Sequence, residues 1–371
     1  MINKKVRQSN FELLRLFAII LIIVHHLFVH VVRDQLFDSS MYGCGEMFNN
    51  FRFYIKLVLL EYGAAIGKIG VCLFILISGY FMCEKKEIDI IKIAKKLLGQ
   101  LLFITLIIVI GSFIYNFFYD KDFIGAMPFS LFNQQFWFIG YYFIIVIIGY
   151  LFLNKYLNKL DNKKYLIFLI ITFSLISFSY SIGIIESIGD SLTIVLTGLF
   201  LYSLGGYISK YNPFKNVRTY VFILAIIISL GIMAISYRNS VISNINSSLE
   251  VGCYHQIVNL YSENSLICLV ISTCIFELFN RIKMKPNKVI NYIAGASLIT
   301  YIMHDNDFVY RILLKTDWIK PYFEDFPHFV LLIISTTAII FTLGFILYVV
   351  YNLIVKLLNS KFVKKLVLKN N

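Results

Sequence analysis

Apolar residues fall along this chain in long runs. They do not show the alternation of half-buried strands or the one-sided stripe of soluble helices. "LLFITLIIVIGSFIYNFF" (101–118) and "FVLLIISTTAIIFTLGFILYVVYNLIV" (329–355) are the plainest cases. A helix needs about 20 mostly apolar residues to cross a bilayer. Ten segments fit, with ends uncertain by a few residues: 11–32, 66–83, 97–118, 135–153, 165–183, 190–208, 218–236, 262–280, 289–306 and 328–355. The last is long enough to tilt or to run past the membrane. Between the fifth and sixth, "IIESIGD" (184–190) leaves room only for a tight hairpin. The pattern predicts an all-α, polytopic membrane protein with about ten transmembrane helices.

The polar positions give an orientation. Alternate connections, starting with the N-terminus, hold 24 Lys and Arg residues, whereas the intervening loops hold 8. Basic residues concentrate on the cytoplasmic side, so both termini are expected in the cytoplasm. The same asymmetry accounts for the net charge of +13 without a nucleic-acid partner. "EKKEIDIIKIAKK" (84–96) reads as a basic loop against lipid headgroups, or more sharply as a docking surface for an anionic ligand. Of the outer loops, "NNFRFYIKLVLLEYG" (49–63) is expected along the membrane surface. Residues 237–261, with Glu250 and His255, and residues 307–327 serve either as caps over an outward-opening site or as connectors. At 59% hydrophobic and 15% charged, the composition departs from a soluble domain in the direction of membrane residence. Lys4, Lys5 and Arg7 before an apolar run resemble a signal peptide. No small-residue cleavage site follows, so the segment is read as a retained first span. The six cysteines show no C-x-x-C spacing, and Cys44 and Cys253 are placed in outer loops where a disulfide is open to them.

The first span, "FELLRLFAIILIIVHHLF" (11–28), carries Arg15, His25 and His26, with His30 just beyond. Eleven residues at 100° each bring Arg15 and His26 to within about 20° of one face, about 16 Å apart along the axis. His30 continues the stripe, and His25 points roughly 100° away. Arg15 lies near the cytoplasmic end, where it either reaches headgroup phosphates or grips an anionic ligand through its bidentate fork. His26 lies deeper, where an ionisable group faces a cavity or a neighbouring helix. A neutral histidine there can accept a proton from a hydroxyl. His26 and His30 have metal-ligand spacing, but no third ligand is identifiable, so no metal site is expected.

These residues also carry a family resemblance. The Arg-x10-His spacing of Arg15 and His26 resembles the signature of the acyltransferase-3 family of integral membrane acyltransferases. "GKIGVCLFILISGYFM" (67–82) is similar to that family's second-span stretch through Gly70, Val71, Leu73, Phe74, Ser78, Gly79 and Tyr80. "FWFIGYYF" (136–143) resembles its Trp-Phe element, and "ASLITYIMHD" (296–305) its late S-x-x-x-Y-x-x-H element through Ser297, Tyr301 and His304. The resemblance runs through nearly the whole chain and implies a single acyltransferase domain over 1–371, with no appended soluble domain. It implies transfer of an acetyl group from cytoplasmic acetyl-coenzyme A, a substrate rather than a bound cofactor, to a hydroxyl of a cell-surface polysaccharide or its lipid-linked precursor. Arg15 and His26 match the family's essential pair, and Lys95 and Lys96 stand where it carries a basic pair before the third span. Cys72 stands where an acidic residue often follows Gly-Val, and the Trp-Phe stretch lacks the acidic residues seen in some members. These departures bear on the acceptor and the acyl group more than on the reaction type.

Ser78, Trp137, Tyr301 and His304 complete the candidate residues. Ser78 with Gly79 also suits close helix packing, and a nucleophilic Ser78 would need a base beside it. Trp137 also suits a membrane interface. His304, followed by Asp305, Asn306 and Asp307, suits a solvated helix end equally well. Two rival functions share the span pattern: a glycan or small-solute transporter with a histidine proton relay, and a polysaccharide polymerase. All five prolines lie outside span interiors and no repeat is present, so the broken paired helices of transporters are not signalled.

Overall fold

A computed structural model describes residues 7–38, 51–85, 87–119, 137–179, 186–247 and 265–359. Among these residues the regular structure is entirely helical. Helix α1 (Ser9–Leu27) passes through a π-helical turn, Phe28–Val32, into α2 (Arg33–Asp38). Then come α3 (Phe51–Met82), α4 (Ile90–Tyr119), α5 (Trp137–Ile148), α6 (Asn154–Leu157), α7 (Asn162–Ser179) and α8 (Glu186–Tyr211). They are followed by α9 (Thr219–Ser247), α10 (Leu266–Asn280), α11 (Lys288–Ile293), α12 (Ser297–His304), α13 (Asp307–Leu313), α14 (Ile319–Glu324) and α15 (Phe326–Leu358).

Among the described residues, six helices are long and apolar enough to cross a membrane: Ser9–Gln35, Val58–Met82, Ile90–Tyr119, Phe138–Leu157, Thr219–Asn239 and Phe326–Leu358. They coincide with the first, second, third, fourth, seventh and tenth predicted spans. The fifth, sixth, eighth and ninth predicted spans fall on α7, α8, α10 and α11–α12, which are helical but are not among these six. Helix α10 has 15 residues, and a 3-10 turn at Ala294–Ala296 interrupts the ninth span between α11 and α12. Helix α8 carries polar residues that bond to its own backbone: Thr197 Oγ1 donates to Thr193 O at 2.8 Å and Ser203 Oγ to Leu199 O at 2.7 Å.

The segment expected along the membrane surface is helical. Residues 51–65 are the first half of α3, continuous with the second span over 32 residues. Lys56 and Glu61 of this stretch turn inward. Lys56 Nζ donates to Phe323 O, and Glu61 is buried. Cys44, Cys253 and His255 lie outside the described residues.

Helix α3 is the central element, packed against α1, α8 and α10. Two close approaches set this arrangement. A Cβ at Gly70 would stand 2.7 Å from Ala18 O of α1, and one at Gly79 would stand 1.9 Å from Tyr202 O of α8. Between helices in lipid, where hydrophobic burial gives little drive, such small-residue contacts supply the packing. The result holds α1 against the middle of the bundle, with Leu14, Ala18, Ile19 and Ile23 fully buried. At its N-terminal end α1 is pinned to the late helices. Ser9 Oγ donates to Asn291 Oδ1 at 2.8 Å, and Asn10 Nδ2 donates to Phe279 O at 3.1 Å. Helix α12 packs on α1, α4 and α15, which brings the ends of the sequence to one place.

Candidate active site

The first helix presents its imidazoles at the level where α12 ends. His26 is buried, with 8% of its surface exposed. Its Nδ1 lies 3.0 Å from His304 Nε2. His304 is 1% exposed, so it is not a solvated helix end. Its Nδ1 lies 2.7 Å from Thr300 O. A carbonyl can only accept, so His304 Nδ1 carries the hydrogen, and in the neutral ring Nε2 is then the acceptor. His26 Nδ1 must therefore donate to it. This leaves the lone pair of neutral His26 on Nε2, the tautomer a general base requires, assigned here from the hydrogen-bond network.

Asp305 completes the group. Its backbone leaves the helix (φ −87°, ψ 71°), and Asn306 caps the next helix by accepting from Val309 N at 3.1 Å. The turn buries the Asp305 carboxylate, with Oδ1 3.8 Å from His26 Nδ1. Tyr310 donates its hydroxyl to the same oxygen at 2.7 Å. Burial, reinforced by the Asp305 charge, holds that hydroxyl well above the usual tyrosine range, so it remains a donor. His30 stacks on Tyr310 with ring centroids 4.7 Å apart. A protonated His26 would thus face a carboxylate in a poorly solvated setting.

His25 serves another contact. Its Nδ1 bonds to Ala64 O and its ring lies against Gly67 of α3, so it docks α1 onto the central helix.

Two cavities flank this group. One, of about 610 Å³, is lined by His25, His26, His30, Tyr310 and a set of charged residues: Asp34, Lys68, Asp305, Asp307 and Arg311. The other, of about 560 Å³, is lined by Arg7, Arg15, Lys85 and Lys96, with Glu12, Ser78 and Tyr142 among its other walls. Ile22, Phe138 and Tyr301 line both. Each of the three is buried, so they form a shared wall.

The candidate residues therefore divide between the cavities. His26 borders the first, and His304 stands behind it. Arg15, Lys96 and Ser78 border the second, and Tyr301 lies between. Arg15 is paired with Glu12, Nη1 to Oε1, which fixes its side chain at the cavity rim. Ser78 Oγ donates to Phe74 O at 2.9 Å and to the Tyr142 hydroxyl at 3.2 Å; no imidazole is among these partners. Lys95 is exposed and does not line the cavity. Trp137 opens α5, and its side chain lies outside the described part; its neighbour Phe138 supplies the wall. Asp305, Tyr310, Arg7 and Lys85 were not singled out as site residues from sequence. Asp305 had a signal, since it follows His304 directly. Arg7 entered only the topological charge bias, whereas Lys85 lies in the 84–96 stretch read either as a loop against headgroups or as a docking surface for an anionic ligand.

This is a multi-pass helical membrane protein. Its candidate site sets a buried imidazole, on one cavity, beside a cluster of cations on an adjoining one. The acyltransferase domain of the acyltransferase-3 family matches residues 8–349, and the chain belongs to that family; it is a membrane acyltransferase. Comparison with curated proteins and with solved structures returned no match.

The His26 tautomer can be measured directly. In protein labelled with ¹⁵N-histidine, solid-state NMR is expected to show His26 protonated at Nδ1 and bare at Nε2. That preference is expected to disappear in His304→Ala. An Nε2–H tautomer in the unmodified protein would contradict the hydrogen-bond assignment.

Proposed function

We propose that this protein is an O-acetyltransferase of a bacterial cell membrane. It moves acetyl from cytoplasmic acetyl-coenzyme A to a hydroxyl of a surface polysaccharide or its lipid-linked precursor. The observation that carries this reading is the pair of adjoining cavities, one lined by cations and one by the His26 group, behind a common wall of Ile22, Phe138 and Tyr301. The ten-span topology with cytoplasmic termini, carried over from the Lys and Arg distribution, puts Arg7, Lys85 and Lys96 on the cytoplasmic side. That is the side from which an anionic donor arrives.

In this reading Arg15, with Arg7, Lys85 and Lys96, holds the donor phosphates, and Glu12 keeps Arg15 in position. The donor's arm then runs along α1 toward the wall, over the roughly 16 Å that separates Arg15 from His26. On the far side, His26 Nε2 takes the proton of the acceptor hydroxyl as its oxygen attacks the thioester carbonyl. Asp305 stabilises the imidazolium, and the proton passes to the departing thiolate. His304 acts as a positioning residue through the His26 ring. Lys95, off the cavity, adds only to the surrounding field. Lipids fill the outer surface, and the whole chain acts as one unit. A transporter with a histidine relay would instead move its solute with no acyl donor present.

Membranes containing His26→Ala are expected to lose transfer of labelled acetyl from acetyl-coenzyme A to glycan by at least about 100-fold, the usual scale of general-base catalysis. Undiminished transfer at equal expression would contradict the role of His26. The shared wall predicts acyl-size selection. Ile22→Ala is expected to raise the butyryl-to-acetyl transfer ratio by about tenfold, in keeping with the ~1–3 kcal/mol that one methylene contributes to discrimination in an apolar site. An unchanged ratio would mean that the acyl group does not pass this wall.

A further inference from the structure

His26 and His30 lie one turn apart, at the point where α1 opens into the π-helical turn Phe28–Val32. Such turns are frequent at functional sites. The sequence offers these two imidazoles no third partner. The fold supplies one from the other end of the chain. One ligand atom from each of His26, His30 and Asp305 lies within 4.8 Å of the others. Two imidazoles and a carboxylate form a donor set suited to divalent transition metals.

The ligands are also oriented by neighbours, as they are around functional metal centres. Tyr310 donates to Asp305 Oδ1 at 2.7 Å, His304 Nε2 lies 3.0 Å from His26 Nδ1, and His30 stacks on Tyr310. Tetrahedral metal–ligand bonds of about 2.1 Å place two ligand atoms ~3.4 Å apart, so a pair at the 4.8 Å limit closes by ~1.4 Å on binding. All three residues line the 610 Å³ cavity, which provides access and leaves room for water in the remaining coordination positions. Lys68 and Arg311 line the same cavity and oppose a cation, whereas Asp34 and Asp307 on its wall favour one.

We propose that His26, His30 and Asp305 form a binding site for a divalent transition-metal ion of the Zn²⁺ class. The ion takes a lone pair of His26 and so removes the base. Occupancy therefore inhibits the enzyme reversibly. Binding stands on the geometry alone; the inhibitory consequence rests on the acyl-transfer reading.

The test uses the full-length protein, purified in detergent and stripped with EDTA. Titration with Co²⁺ is expected to produce visible ligand-field bands that saturate near one equivalent. His30→Ala and Asp305→Asn are each expected to weaken binding at least tenfold, with unchanged gel-filtration elution confirming that the variants fold. His328→Ala, which removes an exposed histidine at the start of α15, should titrate like the unmodified protein. Absence of bands, or identical titrations in the two ligand variants, overturns the site. In the transfer assay, micromolar Zn²⁺ is expected to suppress acetylation and EDTA to restore it, with His30→Ala needing at least tenfold more Zn²⁺. If EDTA abolishes transfer instead, the inhibitory role is overturned. If the Co²⁺ bands follow the ligand variants while no acyl donor supports transfer, the site stands and the acetyltransferase reading fails.

Discussion

The hydrogen bond from His26 Nδ1 to His304 Nε2 joins residues 278 positions apart, and the orientation of both rings depends on it. Inside a membrane protein a polar group without a partner is costly, because neither lipid nor a dry interior supplies one. His26 meets this requirement with a second imidazole, which is itself held by the Thr300 carbonyl. The chain of donors runs in one direction only. It therefore fixes which nitrogen of His26 keeps its lone pair. Asp305 is close enough to stabilise the charged ring, while the ring's single proton on Nδ1 is committed to His304.

That bond can form only if α1 and α12 are held at a fixed height relative to one another. Packing on both sides of α3 does this. Glycines at 67 and 70 let α1 approach its backbone, and Gly79 does the same for α8. The polar anchors at Ser9 and Asn10 add a second restraint at the opposite end of α1. The helix that carries both Arg15 and His26 is thus clamped along its length, and the two cavities keep their positions on either side of Ile22, Phe138 and Tyr301. A shift of one turn in α1 would separate His26 from His304 by about 5 Å and dissolve the arrangement.

Much of this was legible in the sequence. The apolar runs located most of the long helices, and helical arithmetic put Arg15 and His26 on one face with His30 behind. The family resemblance drew attention to Tyr301 and His304. Other features were hidden for physical reasons. The first half of α3 read as part of an outer loop, since hydrophobic periodicity does not show that Lys56 bonds to Phe323 O, far along the chain. Asp305 could not be tied to His26 and His30, since hydrophobic periodicity carries no information about which helices meet. Lys95 and Lys96 looked equivalent as neighbours, yet adjacent residues on a helix point about 100° apart, and only Lys96 reaches the cavity. Arg7 disappeared into a charge bias that serves topology and ligand binding alike, and Lys85 was visible only as one of several cations in the basic 84–96 stretch.

The central claim is that the cationic cavity opens to the cytoplasm and the histidine cavity to the opposite side. Single cysteines introduced by Lys85→Cys and Asp307→Cys, probed with a membrane-impermeant thiol reagent in sealed vesicles of known orientation, test this most directly. The account predicts that the cysteine at position 85 reacts only from the cytoplasmic face and the one at position 307 only from the outer face, above the labelling of the unmodified chain. Reaction of both from the same face would contradict it.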